Sequence, residues 1–168
     1  MSAPDPVVRG YLERRMVETP TGTIISHRPR LILSPLTRYP IPEGNSTHRF
    51  ILDTGSDVSM VPISVARRFG FIGFDESAAW VATRTSFQGE LNGRWGTLQF
   101  RLPASPRTVP CFYYDPNASG RARWWERWVR RSTRPAEDPL LLGCAGVLGG
   151  DLRLTIDGNR EVGLYPRD

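Results

Sequence analysis

Residues 50–57 read Phe-Ile-Leu-Asp-Thr-Gly-Ser-Asp (FILDTGSD): three apolar side chains run straight into an acid, a hydroxyl, a glycine, a second hydroxyl and a second acid. Taken locally, Asp53 is either a turn acid that closes a strand or a catalytic acid that a strand delivers. A carboxylate used for general acid–base chemistry must be held rigidly, be reached by substrate, and be surrounded by donors that set its protonation. Each requirement has a candidate here. Ile51 and Leu52 continue a buried strand, Thr54 and Ser56 carry hydroxyls, and Gly55 lets backbone and its amide approach the carboxylate.

Outward from that stretch the pattern is mainly β. Upstream, PRLILSPLTR and THRFILDTG read as two strands separated by the turn chemistry of YPIPEGNS. Downstream, PISVARRF (Pro62 to Phe69) predicts a short helix with proline in its first turn and Gly70 at its end. Strand signals resume in AAWVATRTSF and GTLQFRLP, joined through QGELNGRW, and again in TVPCFYY, PLLLG, LRLTID and VGLYP. Seven or eight short strands between turn residues predict a β domain closed into a barrel or folded on itself. The proline-punctuated residues 1–25, with a short helix around Tyr11 to Met16, read as an arm or extra strand ahead of a domain at 26–168. An amphipathic helix is expected as an insertion at about 118–136, with Trp124, Trp125, Trp128 and Val129 on one side and Arg123, Glu126, Arg127, Arg130 and Arg131 on the other.

Composition narrows the chemistry. At 168 residues, with 39% apolar and 23% charged residues, the chain suits one globular domain with its own core. All 22 basic residues are arginine, against 17 acids, giving a net charge of +5. Such a surface attracts anions, but a solvated arginine-rich surface has the same count, and no nucleic acid partner is expected. The lack of lysine excludes Schiff-base catalysis, a phosphate-binding loop lysine and a serine–lysine dyad. Only His27 and His48 are available as imidazole bases, and no nucleophile-elbow motif accompanies either. An aspartyl-phosphate chemistry wants a second acid two residues on, where Gly55 stands. Cys111 and Cys144 lack metal-ligand spacing and read as buried free thiols. No run of the sequence approaches a membrane span, so a soluble, cytoplasmic protein is expected.

Residues Ile51 to Pro62, ILDTGSDVSMVP, resemble the aspartic protease family, in particular its single-domain, retropepsin-like branch. A second stretch adds to the likeness: in PLLLGCAGVLGGDLRLTID, Leu141-Leu142-Gly143 is similar to the family's apolar-apolar-Gly strand that supports the catalytic loop. The resemblance spans about Arg30 to Leu164, and it implies a closed acid-protease barrel working without metal or cofactor.

The family's chemistry needs two carboxylates sharing a proton across a water molecule, and this chain has one such motif and no repeat. The resemblance therefore implies a homodimer with two Asp53 side chains facing each other on the twofold axis, acting on a peptide or protein substrate. It further implies that Thr54 braces the two loops, that Gly55 hydrogen-bonds the carboxylate, and that Ser56 donates to its outer oxygen. Asp57 and the hairpin tip Thr85, Ser86, Phe87, Gln88 and Gly89 are the implied substrate contacts, with Gly89 or Gly93 as hinge of a covering flap. Two departures stand out: Cys144 and Ala145 occupy the place where viral members carry the arginine that pairs with the acid matching Asp57, and the Trp/Arg segment is inserted. Two other functions fit the sequence, a catalytically silent binding or assembly module of the same fold and a basic interaction module acting through Arg121 to Arg134.

Overall fold

Period-two alternation dominates the chain wherever backbone pairs across strands, and it sorts side chains onto two faces. The computed structural model describes residues 5–42, 46–53, 55–85, 89–116, 140–144, 151–158 and 161–167. Ten strands and one helix are found among them: β1 (Val8–Thr19), β2 (Gly22–Leu33), β3 (His48–Asp53), β4 (Ser59–Pro62), α1 (Ile63–Phe69), β5 (Val81–Thr85), β6 (Gly89–Phe100), β7 (Arg107–Tyr114), β8 (Leu140–Gly143), β9 (Leu152–Ile156) and β10 (Glu161–Pro166). The protein is mainly β, as its sequence predicts. Thr54, the hairpin residues Ser86, Phe87 and Gln88, and the Trp/Arg segment from Arg121 to Arg134 lie outside the described residues.

The strands form one sheet in the order β5-β6-β7-β4-β8-β3-β2-β1-β10-β9. Among the described residues this ladder is open, with β5 and β9 as its edges, so the expected closed barrel is not what the pairing shows. The chain does fold back on itself: after β2, Pro35 bridges Phe100, and the Leu36 and Arg101 amides donate to the Gln99 and Ser34 carbonyls. The sheet curls toward itself there through single bridges rather than a full strand pair.

One face buries the main core, in which Leu31, Phe50, Val61, Phe100, Leu142 and Leu164 are at most 1% exposed. Each such side chain contributes about 1.5–3 kcal/mol when removed from water. The opposite face carries a smaller cluster of Ile51, Met60, Leu91, Phe112, Tyr114 and Leu141. Five of this face's residues form a transverse row, Trp95 opposite Phe112, Phe112 opposite Met60, Met60 opposite Leu141 and Leu141 opposite Ile51. The row ends on the strand that carries Asp53.

Three local expectations change. The segment Tyr11 to Met16 is strand, not helix, because β1 finds ten partners on β2 and four on β10, and this pairing outweighs the helix-friendly composition of YLERRM. Residue 25 therefore lies inside β2. Helix α1 starts at Ile63, with Pro62 still extended as its N-cap, and ends at Gly70, whose N–H reaches back to the Ala66 and Arg67 carbonyls. Lastly, β6 begins at Gly89, so most of the QGELNGRW connection is strand paired with β5.

Candidate active site

Asp53 is the last residue of β3, and its position is fixed from the side by β8. The two strands run parallel, with Leu52 opposite Leu142 and Asp53 opposite Gly143. Parallel pairing of this kind is found where both faces are covered, which agrees with four consecutive buried residues on β8. Asp53 itself is half-buried. Its strand is anchored on both faces, by Phe50 and Leu52 in the main core and by Ile51 in the smaller one.

The loop beyond the acid turns back on its carboxylate. The Gly55 N–H donates to Asp53 Oδ1 at 3.0 Å, and the Ser56 N–H approaches the Asp53 carbonyl at 3.4 Å. One carboxylate oxygen is thus held by the backbone, while Oδ2 has no hydrogen bond among the described residues. The loop is tied to β8 by the Cys144 N–H, which donates to the Ser56 carbonyl at 2.8 Å. A second tie lies beneath it, where the Gly143 N–H donates to Ser59 Oγ at 3.2 Å. Ser59 is 1% exposed. Removing its hydroxyl strands a buried N–H, so we expect Ser59→Ala to lower stability by about 1–3 kcal/mol, read by urea denaturation.

Gly143 is where the strand comes closest to the loop. A Cβ there would lie 2.6 Å from the Val58 backbone nitrogen and carbon and 2.8 Å from the Asp57 carbonyl carbon. Only a residue with no side chain lets β8 pass beneath residues 57–58, which is the physical content of the glycine in Leu-Leu-Gly. Gly93 also stands at a close approach, not at a free hinge: a Cβ would meet the Tyr113 carbonyl oxygen at 2.2 Å and Phe112 Cζ at 2.8 Å. The hairpin residues Thr85 and Gly89 pair directly at the tip of β5 and β6, on the outer edge of the sheet.

Ser56 takes a different part from the one expected of it. Its Oγ donates to the Val58 carbonyl at 2.8 Å and accepts from the Val58 N–H at 3.2 Å. A hydroxyl has one proton, and here it closes a local turn, not a bond to the carboxylate. Ser56→Ala is therefore expected to leave the acid limb of the pH–rate profile in place. A shift of that limb would show that the hydroxyl turns to Asp53 during the reaction.

Asp57 is exposed and makes no ion pair among the described residues, which agrees with the missing arginine after Gly143. His48 begins β3 and packs its ring against Phe69 and Phe71, with centroids 4.5 and 5.3 Å away, so it is a packing residue on the core side of the strand. Cys144, expected as a buried thiol in the place of the arginine, differs from that expectation in its exposure. It is half-buried, not buried like Cys111, and it follows directly on the register partner of Asp53. Burial raises its thiol pKa, and the charges of Asp53 and Asp57 raise it further. Cys144 therefore stays protonated and is a weak nucleophile.

The chain matches no protein-family model and no curated protein. Among solved structures it is similar to a retropepsin-like aspartic protease from Rickettsia conorii, at 13% sequence identity, with all of both chains covered and a TM-score of 0.46.

Proposed function

We propose that this protein is a homodimeric aspartic endopeptidase of the retropepsin-like type, in which two copies of Asp53 at a twofold axis activate a water molecule. The observation that carries the reading is the mounting of Asp53: a carboxylate at the end of a buried strand, locked in register to Gly143, with one oxygen held by the Gly55 amide. A turn acid needs none of this support from a strand so distant in sequence.

The chemistry follows from the pairing of like groups. Two carboxylates in close contact do not both ionise readily, so one holds a proton and the other does not. The ionised member takes a proton from the water, whose oxygen attacks the scissile carbonyl carbon, while the protonated member donates to the carbonyl oxygen. Collapse of the tetrahedral species breaks the C–N bond as a carboxyl passes a proton to the departing amine. Thr54 is the brace between the two loops, and residues Thr85 to Gly89 with Asp57 form the substrate side. Two unpaired cysteines agree with a reducing, cytoplasmic setting.

The test is cleavage of a diverse peptide mixture from acidic to neutral pH, with sedimentation recorded in the same buffers. Peptide-bond hydrolysis confined to conditions where the protein is dimeric supports the reading. A dimer that cleaves nothing across the range makes the protein a silent module of the same fold.

A further inference from the structure

β1 and β2 are each twelve residues long, yet the sheet uses only their inner ends. β1 pairs with β10 only from Val8 to Tyr11, and β2 enters the β3 ladder at Arg30, opposite Ile51. Between them, Leu12–Thr19 and Gly22–Pro29 pair with each other and with no other strand among the described residues. At about 3.4 Å per residue these eight pairs make a ribbon roughly 25 Å long. Since β2 and β3 are antiparallel, the ribbon leaves the sheet at the end of β3 that carries Asp53.

The ribbon's root is stiff and its end is apolar. At the root, Glu13 Oε2 accepts from Arg30 Nη2 at 2.9 Å, Arg30 Nε at 3.1 Å and Arg15 Nε at 3.2 Å, locking both strands together. Toward the end, Met16 stands opposite Ile25 on one face and Val17 opposite Ile24 on the other. Met16 is 76% exposed, and Ile24 and Ile25 are each 53% exposed. A hairpin that packs on its own domain needs one apolar face; this one shows apolar side chains on both. An isolated two-stranded ribbon is marginal in water, so a stiff, two-sided apolar one is built to be covered.

We propose that the β1–β2 hairpin is an exchange arm, received by a second copy of this chain across the twofold axis on which the two Asp53 side chains meet. The proposal rests on the two-copy reading of the active site, which fixes where the partner stands: at the Asp53 end of β3, where the ribbon emerges. The exchange is mutual, each copy giving one arm and receiving one. A ribbon of this length presents about 250 Å² per face, so an arm gripped on both faces buries roughly 500 Å²; with each copy giving one arm and covering the other, the exchange buries roughly 1,000 Å² per partner, above the ~800 Å² that a specific dimer needs. The Glu13 bridge holds the arm extended before it meets its partner, which lowers the ordering cost of association.

The test uses the full chain. Sedimentation equilibrium compares wild type with Met16→Ser/Ile25→Ser, whose side chains are exposed and whose melting temperature is expected to stay within a few degrees of wild type. A dimer dissociation constant raised at least ~100-fold is expected, since apolar anchors of this kind dominate interface energies. Independently of any substitution, hydrogen exchange of the wild-type amides from Arg14 to Ile25 should slow as concentration rises through the dimerisation range. An unchanged dissociation constant in the variant, exchange indifferent to concentration, or a wild type that stays monomeric overturns the proposal. The two readings fail separately: a dimer sensitive to Met16 and Ile25 that cleaves nothing keeps the arm and removes the protease. Cleavage by a dimer indifferent to both residues keeps the protease and removes the arm.

Discussion

Asp53→Asn is expected, on the proposed function, to reduce peptide cleavage by ~10⁴-fold or more, since it would remove the proton acceptor and donor from both halves of the site at once. The substitution is nearly isosteric, and the amide side chain still accepts the Gly55 N–H through its oxygen, so the loop keeps its shape. Melting temperature and dimer affinity should therefore stay close to wild type while turnover disappears. Mixing experiments sharpen the result. If each site needs one carboxylate from each copy, equal amounts of wild type and Asp53→Asn, allowed to exchange subunits, leave about a quarter of the dimers intact. Activity should fall to that fraction of the all-wild-type sample at the same total concentration. A fall to one half would mean that each copy works alone, which removes the shared site.

Gly143→Ala should produce the second-largest loss, and by a different route. Its methyl carbon would sit 2.6 Å from the Val58 backbone and 2.8 Å from the Asp57 carbonyl carbon, well inside contact distance. Either β8 retreats or residues 57–58 rise by roughly 1 Å. Retreat stretches the Gly143 N–H bond to Ser59 and the Cys144 N–H bond to Ser56, both of which hold the loop. Overpacking of this kind costs about 1–3 kcal/mol of stability. A misplacement near 1 Å at the reacting carboxylate costs ~10² in rate. We expect kcat to fall by about that factor with KM little altered, together with a melting temperature several degrees lower. A stable variant with full activity would show that the loop is not positioned by β8.

Much of this was legible in the residues. The apolar run into Asp53 reads as a strand because its alternate side chains, Phe50 and Leu52 against Ile51, have two buried faces to fill. Leu141-Leu142-Gly143 reads as a supporting strand for the same reason, and the glycine marks the contact with the loop. The N-terminal hairpin was harder to see. Tyr11 to Met16 has helix-forming composition, and nothing local reveals that Gly10 to Thr19 will find a register with Gly22 to Leu31. Ser56 was misjudged because its hydroxyl has two partners within reach, and the tight turn to Val58 wins over the carboxylate. The half-exposure of Cys144, expected as a buried thiol, leaves no signature in the sequence because it depends on how the loop after Asp53 covers the end of β8.

Under the proposed function, the parallel pairing of β3 with β8 bears on when activity begins. Asp53 and Gly143 are ninety residues apart, 143 minus 53, in a chain of 168. A ribosome delivers the acid ninety residues before its brace, and contacts of such separation are slow to form. A nascent chain that has not yet exposed β8 carries the whole Asp-Thr-Gly motif without a fixed carboxylate, and a lone finished chain still lacks a second one. On that reading hydrolytic capacity waits until β8 has been made and two copies have met, which shields the translating chain and its neighbours until then.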